Sequence, residues 1–453
     1  MKKTLAFQNR LPGIILILCL LLVYGCQKEN SSLSSSQNRT ADRYAVSPDK
    51  ESSAVVTDWY RLQTRIMLER NSALNSTVYW GYMGIGLWEA VRPGIKGAVS
   101  FSGKLYKQMP ALPEPENNQG YSWPVSANAA LASMVRSFFT GLTPANMASI
   151  DSLEAAYNEK LSPAQGSQVF SRSQAYGRNI ATAMHDWSLT DDFNGSNIGY
   201  TLPPPFPGSW QPTPPAYLPL PVSPFAQNAT PYMVEDLTAI APKFPIAYSE
   251  TPGSPFYNMV RQVYDLNKAI TPEQRSIALF WFDQGNGTGY SPPGHDFLFI
   301  TQAIEQSHAS LATAAEAYAK AGIANRDASI VTFRSKYDNF LIRPVTYIQK
   351  LIEPGWLPVI PTPPHPEYPA AHAMVTGIVM EAVEHVLGPH LQVTDHSYDF
   401  RGWAPMTFTS VFNYAEMAGL SRNYGGIHYL ISISTGLEMA KIVGGRVGNI
   451  QVR

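Results

Sequence analysis

Cysteine is nearly absent from this chain of 453 residues. Its two cysteines, Cys19 and Cys26, lie near the N-terminus, so the rest of the chain has neither disulfide nor thiol chemistry. A cysteine nucleophile and a cysteine-based zinc site are therefore excluded from the body of the protein. Charge is also sparse, with 15% charged residues and a formal net charge of -1. This balance gives no reason to expect nucleic acid or an anionic membrane surface as a partner.

The first residues are typical of a processing signal. Basic residues precede an apolar run over residues 14–23, which is too short to cross a bilayer as a mature helix. The run ends in the letters V-Y-G-C, which resemble a bacterial lipobox with small Gly25 before Cys26. Cys26 would then become the lipidated N-terminus. An uncleaved anchor and a plain secretory signal are the alternatives.

This interpretation divides the chain into three parts. Residues 1–25 form a lipoprotein signal peptide, residues 26–55 form a polar, serine-rich flexible tether, and residues 56–453 form one helical domain. We expect an exported bacterial lipoprotein at the outer membrane, facing the periplasm or the cell surface. The lipid would be its only membrane contact. The sequence leaves the oligomeric state open.

From residue 56 onward, apolar residues recur mostly with the period of an α-helix, and strand-like alternation is scarce. The fold class is therefore predicted to be all-α, a large helical bundle. The pattern predicts helices at residues 56–71, 76–92, 124–141, 144–161, 166–190, 255–268, 272–283, 296–321, 324–343, 370–387, 408–420 and 424–443.

A proline-rich segment at residues 202–225 interrupts the helical pattern. Ten prolines exclude a helix interior or a central strand, so we expect an extended crossing over the surface. Two roles remain open for it: part of a site rim, or a stiff connector without contact to substrate.

Lys336 and Arg343 are the first two of the candidate site residues that carry a charged group or an imidazole. They stand seven positions apart, nearly two helical turns, which predicts that both side chains emerge on one helix face. Pro344 is expected to end or kink that helix. Two like charges on one face repel each other unless an anion lies between them. The alternative is a solvated face with Asp338 as partner.

The letters P-A-A-H at residues 369–372 run into an apolar helix. Pro369 suits the first helical position, which places Ala370, Ala371 and His372 in the first turn. Backbone N–H groups there bind oxyanions, and His372 can give or take a proton beside them. The alternative is an exposed first-turn histidine without a ligand.

The stretch S-R-N-Y-G-G-I-H-Y-L-I-S at residues 421–432 places Arg422 and His428 on either side of Gly425 and Gly426. A guanidinium forks onto oxyanions, and a neutral imidazole can act as nucleophile, base or metal ligand. The glycines let another group approach the backbone closely. Taken alone, such a stretch is more often an ordinary turn into a helix.

In chain order these motifs are K-x6-R-P, P-A-A-H and S-R-x5-H. They resemble the signature of the type 2 phosphatidic-acid phosphatase and vanadium-dependent haloperoxidase superfamily, which reads K-x6-R-P, P-S-G-H and S-R-x5-H-x3-D. Residues 281–295 (WFDQGNGTGYSPPGH), residues 324–328 (ANRDA) and the proline-rich insert look like the bacterial haloperoxidase branch. The resemblance covers residues 56–445, with the motif core at 324–445, and implies the helical bundle of that superfamily.

The resemblance implies a site for vanadate, or for phosphate in the same place. Ser421 would add a hydroxyl hydrogen bond, and the backbone at Ala371 and Gly426 would approach the anion closely. His372 would be the general acid–base group. His428 would be the axial group, a ligand to vanadium in a haloperoxidase or a nucleophile on phosphorus in a phosphatase. The cations neutralising the oxygens would be Lys336, Arg343 and Arg422.

Three positions depart from the signature. Ala370 replaces the serine, Ala371 replaces the glycine, and Ser432 replaces the aspartate that orients the axial histidine. Ser432 can accept from the ring N–H of His428, although more weakly. Glu416, one helix earlier, is a candidate substitute, and a surface salt bridge is its alternative role.

The other histidines are weighed separately. His295, in P-P-G-H, mimics the second motif but precedes Lys336, so we assign it to the rim or to a helix start. His365, seven residues before His372, is expected at the entrance of the site. Scattered surface or helix-end positions are predicted for His185, His308, His385, His390 and His396.

The first functional hypothesis is a vanadate-dependent haloperoxidase that takes hydrogen peroxide, a halide and a small organic acceptor. One alternative is an acid phosphatase that acts on phosphate monoesters through a phosphohistidine. Another is a weakly active oxyanion-binding surface lipoprotein, which the departures at Ala370 and Ser432 keep open.

Overall fold

The computed structural model describes residues 46–69, 76–164, 166–233, 239–283 and 288–453. This part of the chain holds thirteen α-helices and two three-residue strands, which confirms the all-α class. The predicted signal peptide, Cys26 and most of the predicted tether lie outside the described residues. The helices are α1 (Ala54–Glu69), α2 (Ser76–Val91), α3 (Trp123–Phe138), α4 (Pro144–Leu161), α5 (Ser167–Ser188), α6 (Pro255–Lys268), α7 (Pro272–Phe280), α8 (Pro292–Gln306), α9 (Leu311–Asn339), α10 (Pro344–Leu351), α11 (Ala371–Leu387), α12 (Val411–Tyr424) and α13 (Leu430–Gly448).

The folded body includes part of the segment predicted as tether. A 3-10 turn spans Pro48–Lys50, and the Glu51 carbonyl accepts the Leu311 amide at 2.9 Å, at the start of α9. Residues 46–55 are therefore held against the helical body.

Helix α9 is the central element of the fold. Over its 29 residues most side chains are buried, because it packs against α2 on one side and α11 on the other. Small residues allow the close approach to α2: a Cβ on Gly322 would meet the Trp80 carbonyl oxygen at 2.2 Å. Helices α12 and α13 pack on α11 and complete the C-terminal bundle.

The break between α8 and α9 lies earlier than predicted. The expected helices at 296–321 and 324–343 are instead Pro292–Gln306 and Leu311–Asn339. His308 adopts a left-handed φ of 53°, and the Ser310 hydroxyl caps α9 by accepting the Thr313 amide at 3.2 Å. These local signals end one helix and start the next, whereas the alanine-rich stretch around residue 322 continues as helix.

A short antiparallel pair interrupts the helices before α12. Strand β1 (Val393–Asp395) pairs with β2 (Met406–Phe408), with Val393 opposite Phe408 and Asp395 opposite Met406. The pair places the Asp395 side chain in the interior, where it is fully buried.

The proline-rich segment 202–225 is extended, as predicted. It braces the loops that carry the site: the Trp210 amide donates to the Phe340 carbonyl at 2.7 Å, and the Val222 amide donates to Pro364 at 3.0 Å. None of its residues lines the cavity described below. Within the described ranges, no helix is long and apolar enough to cross a membrane.

Candidate active site

Residues of the second and third predicted motifs line one cavity of about 530 Å³, and Arg343 of the first motif contacts two of its lining histidines. Its walls come from the start of α8, the middle of α9, the loop before α11, the first turn of α11, and the connection between α12 and α13. The lining residues are Phe282, Asp283, Ser291, Pro292, Pro293, Ser329, Phe333, Pro361, Thr362, Pro363, Pro364, His365, Ala371, His372, Val375, Thr376, Arg422 and His428.

Arg343 does not share a helix face with Lys336, so that prediction is wrong. Helix α9 ends at Asn339, and Arg343 is extended, with φ -79° and ψ 151°, as the cap before α10. Pro344 causes this, because the residue before a proline is pushed out of the helical region. The fully buried Arg343 side chain donates from Nη1 to His428 Nε2 at 3.1 Å and from Nη2 to His365 Nδ1 at 3.0 Å.

Lys336 braces the loop before α11. Its ammonium donates to three backbone carbonyls, those of Pro366 and Glu367 at 2.9 Å and that of Pro369 at 2.6 Å. An ammonium has three N–H donors, so this set uses all of them. Lys336 therefore contributes its charge to the site while its hydrogen bonds hold the loop.

The first turn of α11 faces the cavity as expected, although its register differs by two residues. Helix α11 begins at Ala371 with Ala370 as its cap, so Pro369 precedes the helix rather than starting it. Ala371 and His372 both line the cavity. Their backbone N–H groups, at the first two helical positions, lack intrahelical acceptors, and such an end favours an anion.

His428 lies in a loop and not on the predicted helix 424–443. Helix α12 continues through Arg422 to Tyr424, and α13 begins at Leu430. Gly426 makes the turn between them with a φ of 79°, a conformation that side chains rarely adopt. This turn brings Arg422, in the last turn of α12, and His428 to the same cavity.

The axial candidate His428 has a carboxylate partner that the sequence did not suggest. Its Nδ1 lies 2.8 Å from Glu367 Oε1, and the same oxygen accepts the Tyr429 amide at 3.0 Å. The prediction that Ser432 accepts from the His428 ring is wrong. The Ser432 hydroxyl instead donates to Glu367 Oε2 at 2.7 Å. Glu416 is not the substitute either, since it is exposed and accepts from Asn413.

This carboxylate fixes the form of the His428 ring. Burial raises the pKa of Glu367 to about 7, while Arg343 and the three donors that converge on the carboxylate favour its ionised form. His428 Nδ1 therefore carries the proton and Nε2 presents a lone pair. Burial, together with Arg343 and Lys336, keeps the pKa of His428 well below its ordinary value, so the ring is neutral.

His372 has a second unpredicted carboxylate partner. Its Nε2 lies 3.2 Å from Asp283 Oδ2, which follows α7 and also lines the cavity. Burial, reinforced by Arg422, lowers the pKa of His372 to about 4, although Asp283 opposes the effect. His372 is therefore a neutral base at neutral pH.

Of the two roles predicted for His295, the structure shows the helix start and not the rim. It lies in the first turn of α8 with no exposed surface, between two carboxylates. Asp283 Oδ1 is 3.0 Å from its Nδ1, and Asp395 Oδ2 is 2.9 Å from its Nε2.

Positive charge exceeds negative charge around the cavity. The buried cations Lys336, Arg343 and Arg422 face two carboxylates, Glu367 and Asp283. Burial, opposed by Glu367, lowers the pKa of Arg343 to about 10, and burial, opposed by Asp283, lowers the pKa of Arg422 to about 10. Buried cations of this kind are stabilised by an anion.

Arg422 is the cation most available to a ligand. Among the described residues its side chain makes one protein hydrogen bond, from Nη1 to the Trp281 carbonyl, and it lines the cavity. A guanidinium has five N–H donors, so the others can serve an oxyanion.

Comparison with known proteins finds relatives of this chain. A family model, the VCPO second helical-bundle domain, matches residues 316–452, which contain all three motifs. A solved structure titled as the first bacterial vanadium-dependent iodoperoxidase is 27% identical, with a TM-score of 0.78 over 88% of this chain and 97% of that chain. These matches support a relationship of this chain to the vanadium haloperoxidase and type 2 phosphatidic-acid phosphatase superfamily.

Two further solved structures share the fold of this superfamily. They are the apo and holo types of a bacterial vanadium-dependent chloroperoxidase, each 15% identical to this chain. The apo type has a TM-score of 0.63 over 89% of this chain and 98% of that chain, and the holo type 0.59 over 92% and 95%. No curated protein matches the chain.

Four residues predicted for the site do not line the cavity itself, namely Lys336, Arg343, Ser421 and Gly426. The Ser421 hydroxyl is buried and donates to the Ala418 carbonyl at 2.6 Å within α12. The group that lies close to Gly426 is the Asn267 side chain, because a Cβ on Gly426 would meet Asn267 Oδ1 at 2.3 Å. His365 does line the cavity and contacts the Phe333 ring.

The superfamily signature also omits two functional candidates, Asp283 and Glu367. Asp283 stands inside the stretch 281–295 quoted for the resemblance, and Glu367 lies two residues before the P-A-A-H motif. A buried carboxylate in an apolar stretch is a usable signal, because such groups are rarely buried without a partner. The partner itself cannot be read from the sequence.

Proposed function

We propose that this protein is a vanadate-dependent haloperoxidase that oxidises halide with hydrogen peroxide to hypohalous acid. The observation that carries the proposal is the excess of buried positive charge beside the unprotonated Nε2 of His428. A tetrahedral oxyanion matches that charge, and an imidazole nitrogen with a lone pair matches an axial ligand.

The donor set fits vanadate. Arg422 and Arg343 would hold its oxygens, and the N–H groups at Ala371 and His372 would add backbone donors. His428 Nε2 would ligate the vanadium in place of the hydrogen bond that it now accepts from Arg343 Nη1. Lys336 would contribute charge through the loop that it braces. When bound, vanadate supplies the Lewis acidity that makes a peroxide oxygen electrophilic. Phosphate has the same shape and charge type and would compete for these residues.

His372 is the group that handles protons. Because its pKa lies at about 4, it can take a proton from hydrogen peroxide at neutral pH through Nδ1, since Nε2 faces Asp283. The overall reaction joins peroxide, halide and one proton to give hypohalous acid and water. His372 can return the proton that it took from hydrogen peroxide, and the further proton in this sum comes from solvent.

Iodide is the halide that we expect first. It is the most easily oxidised of the common halides, and a solved iodoperoxidase resembles the chain over most of its length. Ala370 also lacks the hydroxyl of the superfamily serine, which leaves fewer donors for charge that develops in the reaction.

The cavity also suggests an apolar organic acceptor. Peroxide and halide are small and polar, yet much of the wall is apolar, including Phe282, Phe333 and Val375. A ring-sized organic molecule would cover this wall and receive the halogen near the site.

The test is a vanadate titration of purified protein freed of bound anions. Peroxide-dependent halogenation of a dione is followed with iodide, bromide and chloride at rising vanadate concentration. We expect activity that appears only with vanadate and is greatest with iodide. Hydrolysis of an aryl phosphate, inhibited by vanadate, would instead support the phosphatase. Tight vanadate binding without either activity would support the binding protein.

His428→Ala tests the axial role. We expect complete loss of halide oxidation, because His428 is the cavity-lining imidazole whose ring Glu367 fixes with Nε2 unprotonated. His390→Ala is the matched control, since His390 is exposed and lies outside the cavity. Full activity in His428→Ala would refute the assignment.

A further inference from the structure

His295 is a buried cation inside an aromatic shell. Both of its ring nitrogens face carboxylate oxygens, Asp283 at 3.0 Å and Asp395 at 2.9 Å, and ionised carboxylates only accept. Both nitrogens therefore carry protons, and the ring is an imidazolium. Aromatic rings surround it, from Phe280, Trp281, Tyr290, Tyr398 and Tyr414.

The charges around His295 explain why the proton stays. Burial alone lowers its pKa, but Asp283 and Asp395 outweigh burial and raise the pKa to about 10. Asp395 is held in turn by Gln302 Nε2 at 3.0 Å and by the Ser397 amide at 2.9 Å. The cation is therefore fixed from both sides.

Asp283 connects this cation to the cavity. Its Oδ1 accepts from His295 and, at 2.7 Å, from the Tyr398 hydroxyl, while Oδ2 faces His372 at 3.2 Å. The other titratable groups near it are Arg422 and Asp296, whose own buried carboxyl has its pKa raised to about 8 by burial. Despite burial, the two histidines hold the pKa of Asp283 well below its usual range.

An ionised Asp283 determines which His372 nitrogen can act as a base. It accepts only, so His372 Nε2 must donate and Nδ1 keeps the lone pair. Among the described residues, Nδ1 has no protein partner, and the ring lines the cavity. If Asp283 gained a proton on Oδ2, it would donate to Nε2. The His372 proton would then occupy Nδ1 and block the base.

We propose that His295 and Asp395 are positioning residues that act through Asp283 to keep His372 in the tautomer with a free Nδ1. The proposal rests on the proposed function only for the use of that lone pair in peroxide deprotonation. The tautomer itself is a property of the chain and can be measured without turnover.

The experiment compares His295→Gln and Asp395→Asn in the full protein. Without vanadate, the nitrogen resonances of ¹⁵N-labelled His372, assigned through His372→Gln, report the tautomer at neutral pH. With vanadate, the pH profile of kcat for iodide oxidation is recorded. His396→Gln is the control, because His396 also pairs with an aspartate, Asp399 at 2.8 Å, but is exposed.

In His295→Gln we expect the proton of His372 to move toward Nδ1. The acid limb of kcat should shift to higher pH by about one unit or more, because Asp283 loses the charge that keeps it ionised. Asp395→Asn should shift both readouts in the same direction by less, since the imidazolium loses one of two carboxylates. Phosphate affinity should change by less than about twofold, because neither residue lines the cavity.

Three results would overturn the proposal. A wild-type His372 with its proton on Nδ1 is one. Another is a variant with lower thermal stability but unchanged resonances and acid limb, which would make the role merely structural. If His295→Gln does not fold, the third such result is an Asp395→Asn protein whose His372 resonances and acid limb of kcat equal those of the wild type. Absence of halide oxidation in the wild type would refute the proposed function alone, since the resonances remain readable.

Discussion

Glu367 and Ser432 together occupy the role that one aspartate has in the superfamily signature. The carboxylate comes from the loop before α11, and Ser432 on α13 holds its second oxygen. A carboxylate that orients a ligating histidine fixes the tautomer and raises its basicity. The apparent loss at position 432 is therefore compensated by a different part of the chain.

Moving the carboxylate from position 367 to position 432 tests this compensation. Glu367→Gln should reduce kcat by about 10- to 100-fold, because the His428 ring loses its carboxylate. Ser432→Asp alone should also reduce activity, since it would place a second carboxylate where Oγ lies 2.7 Å from Glu367. The double variant should recover part of the activity. Steady-state kinetics with iodide measure all three.

Two outcomes would contradict this account. Higher activity in Ser432→Asp alone would mean that Glu367 does not supply the carboxylate. A double variant no better than Glu367→Gln would mean that the loop position cannot be replaced from α13.

His372 should respond to an anion through its pKa. Burial and Arg422 lower that pKa to about 4. An anion beside Arg422 offsets the repulsion, so phosphate or vanadate should raise the pKa of His372, by about one unit or more. NMR titration of the His372 ring protons with and without phosphate measures the shift. In Arg422→Gln the pKa should be higher without phosphate and insensitive to it. A pKa that falls on phosphate binding would disprove the placement of the anion.

At the scale of elements, the start of α11 is formed without a side-chain cap. Ala370 occupies the cap position with an extended backbone, and no side chain accepts from the first turn. Pro369 and the hydrogen bond from the Ala370 amide to the Ser432 carbonyl, at 3.0 Å, hold the entry into the helix instead. The free backbone donors remain directed at the cavity.

Ala370→Ser should restore a cap. We expect about 1 kcal/mol more stability, because a serine hydroxyl accepts a first-turn N–H, and tighter phosphate binding if the hydroxyl also reaches the anion. Urea unfolding and calorimetry measure the two effects. Ala373→Ser is the matched control, because Ala373 is as buried as Ala370. Ala373 packs closely on α13, since a Cβ added to Gly436 would lie 3.0 Å from the Ala373 Cβ. Loss of stability in Ala370→Ser would show that the packing at the cap tolerates no hydroxyl.

At the scale of the whole molecule, one buried arginine joins distant loops to the central helix. Arg326 on α9 has no exposed surface and donates to Asp191 at 2.9 Å, Asp192 at 3.0 Å and the Thr230 carbonyl at 2.8 Å. Its neighbour Asp327 accepts the Tyr232 amide at 2.6 Å. The stretch A-N-R-D-A therefore organises the fold and lies away from the cavity.

Arg326→Met should destabilise the protein by about 3–5 kcal/mol, because it leaves the largely buried Asp191 carboxylate without its arginine partner. Urea unfolding measures the loss. Arg65→Met is the control; its salt bridge with Glu69 is exposed and should contribute less than about 1 kcal/mol. The remaining folded Arg326→Met protein should bind phosphate as the wild type does. A change below about 1 kcal/mol would show that the ion cluster is not a stabilising anchor.

The sequence alone was sufficient for the all-α class, the approximate positions of most helices and the three motifs around one cavity. Helical periodicity, capping residues and motif order are local properties, so they are visible in the letters. Helix boundaries at Arg343 and His428 were misjudged, because proline and glycine act there on single residues inside otherwise helical patterns.

Only the tertiary structure decided which carboxylates serve the two site histidines. Glu367 meets His428 across 61 positions, and Asp283 meets His372 across 89. It also shows that His295, assigned from the sequence to the rim or to a helix start, is a buried cation between Asp283 and Asp395. A residue's type shows that it can carry charge. Its burial and the charges around it determine the protonation state, and those arise only when distant segments pack together.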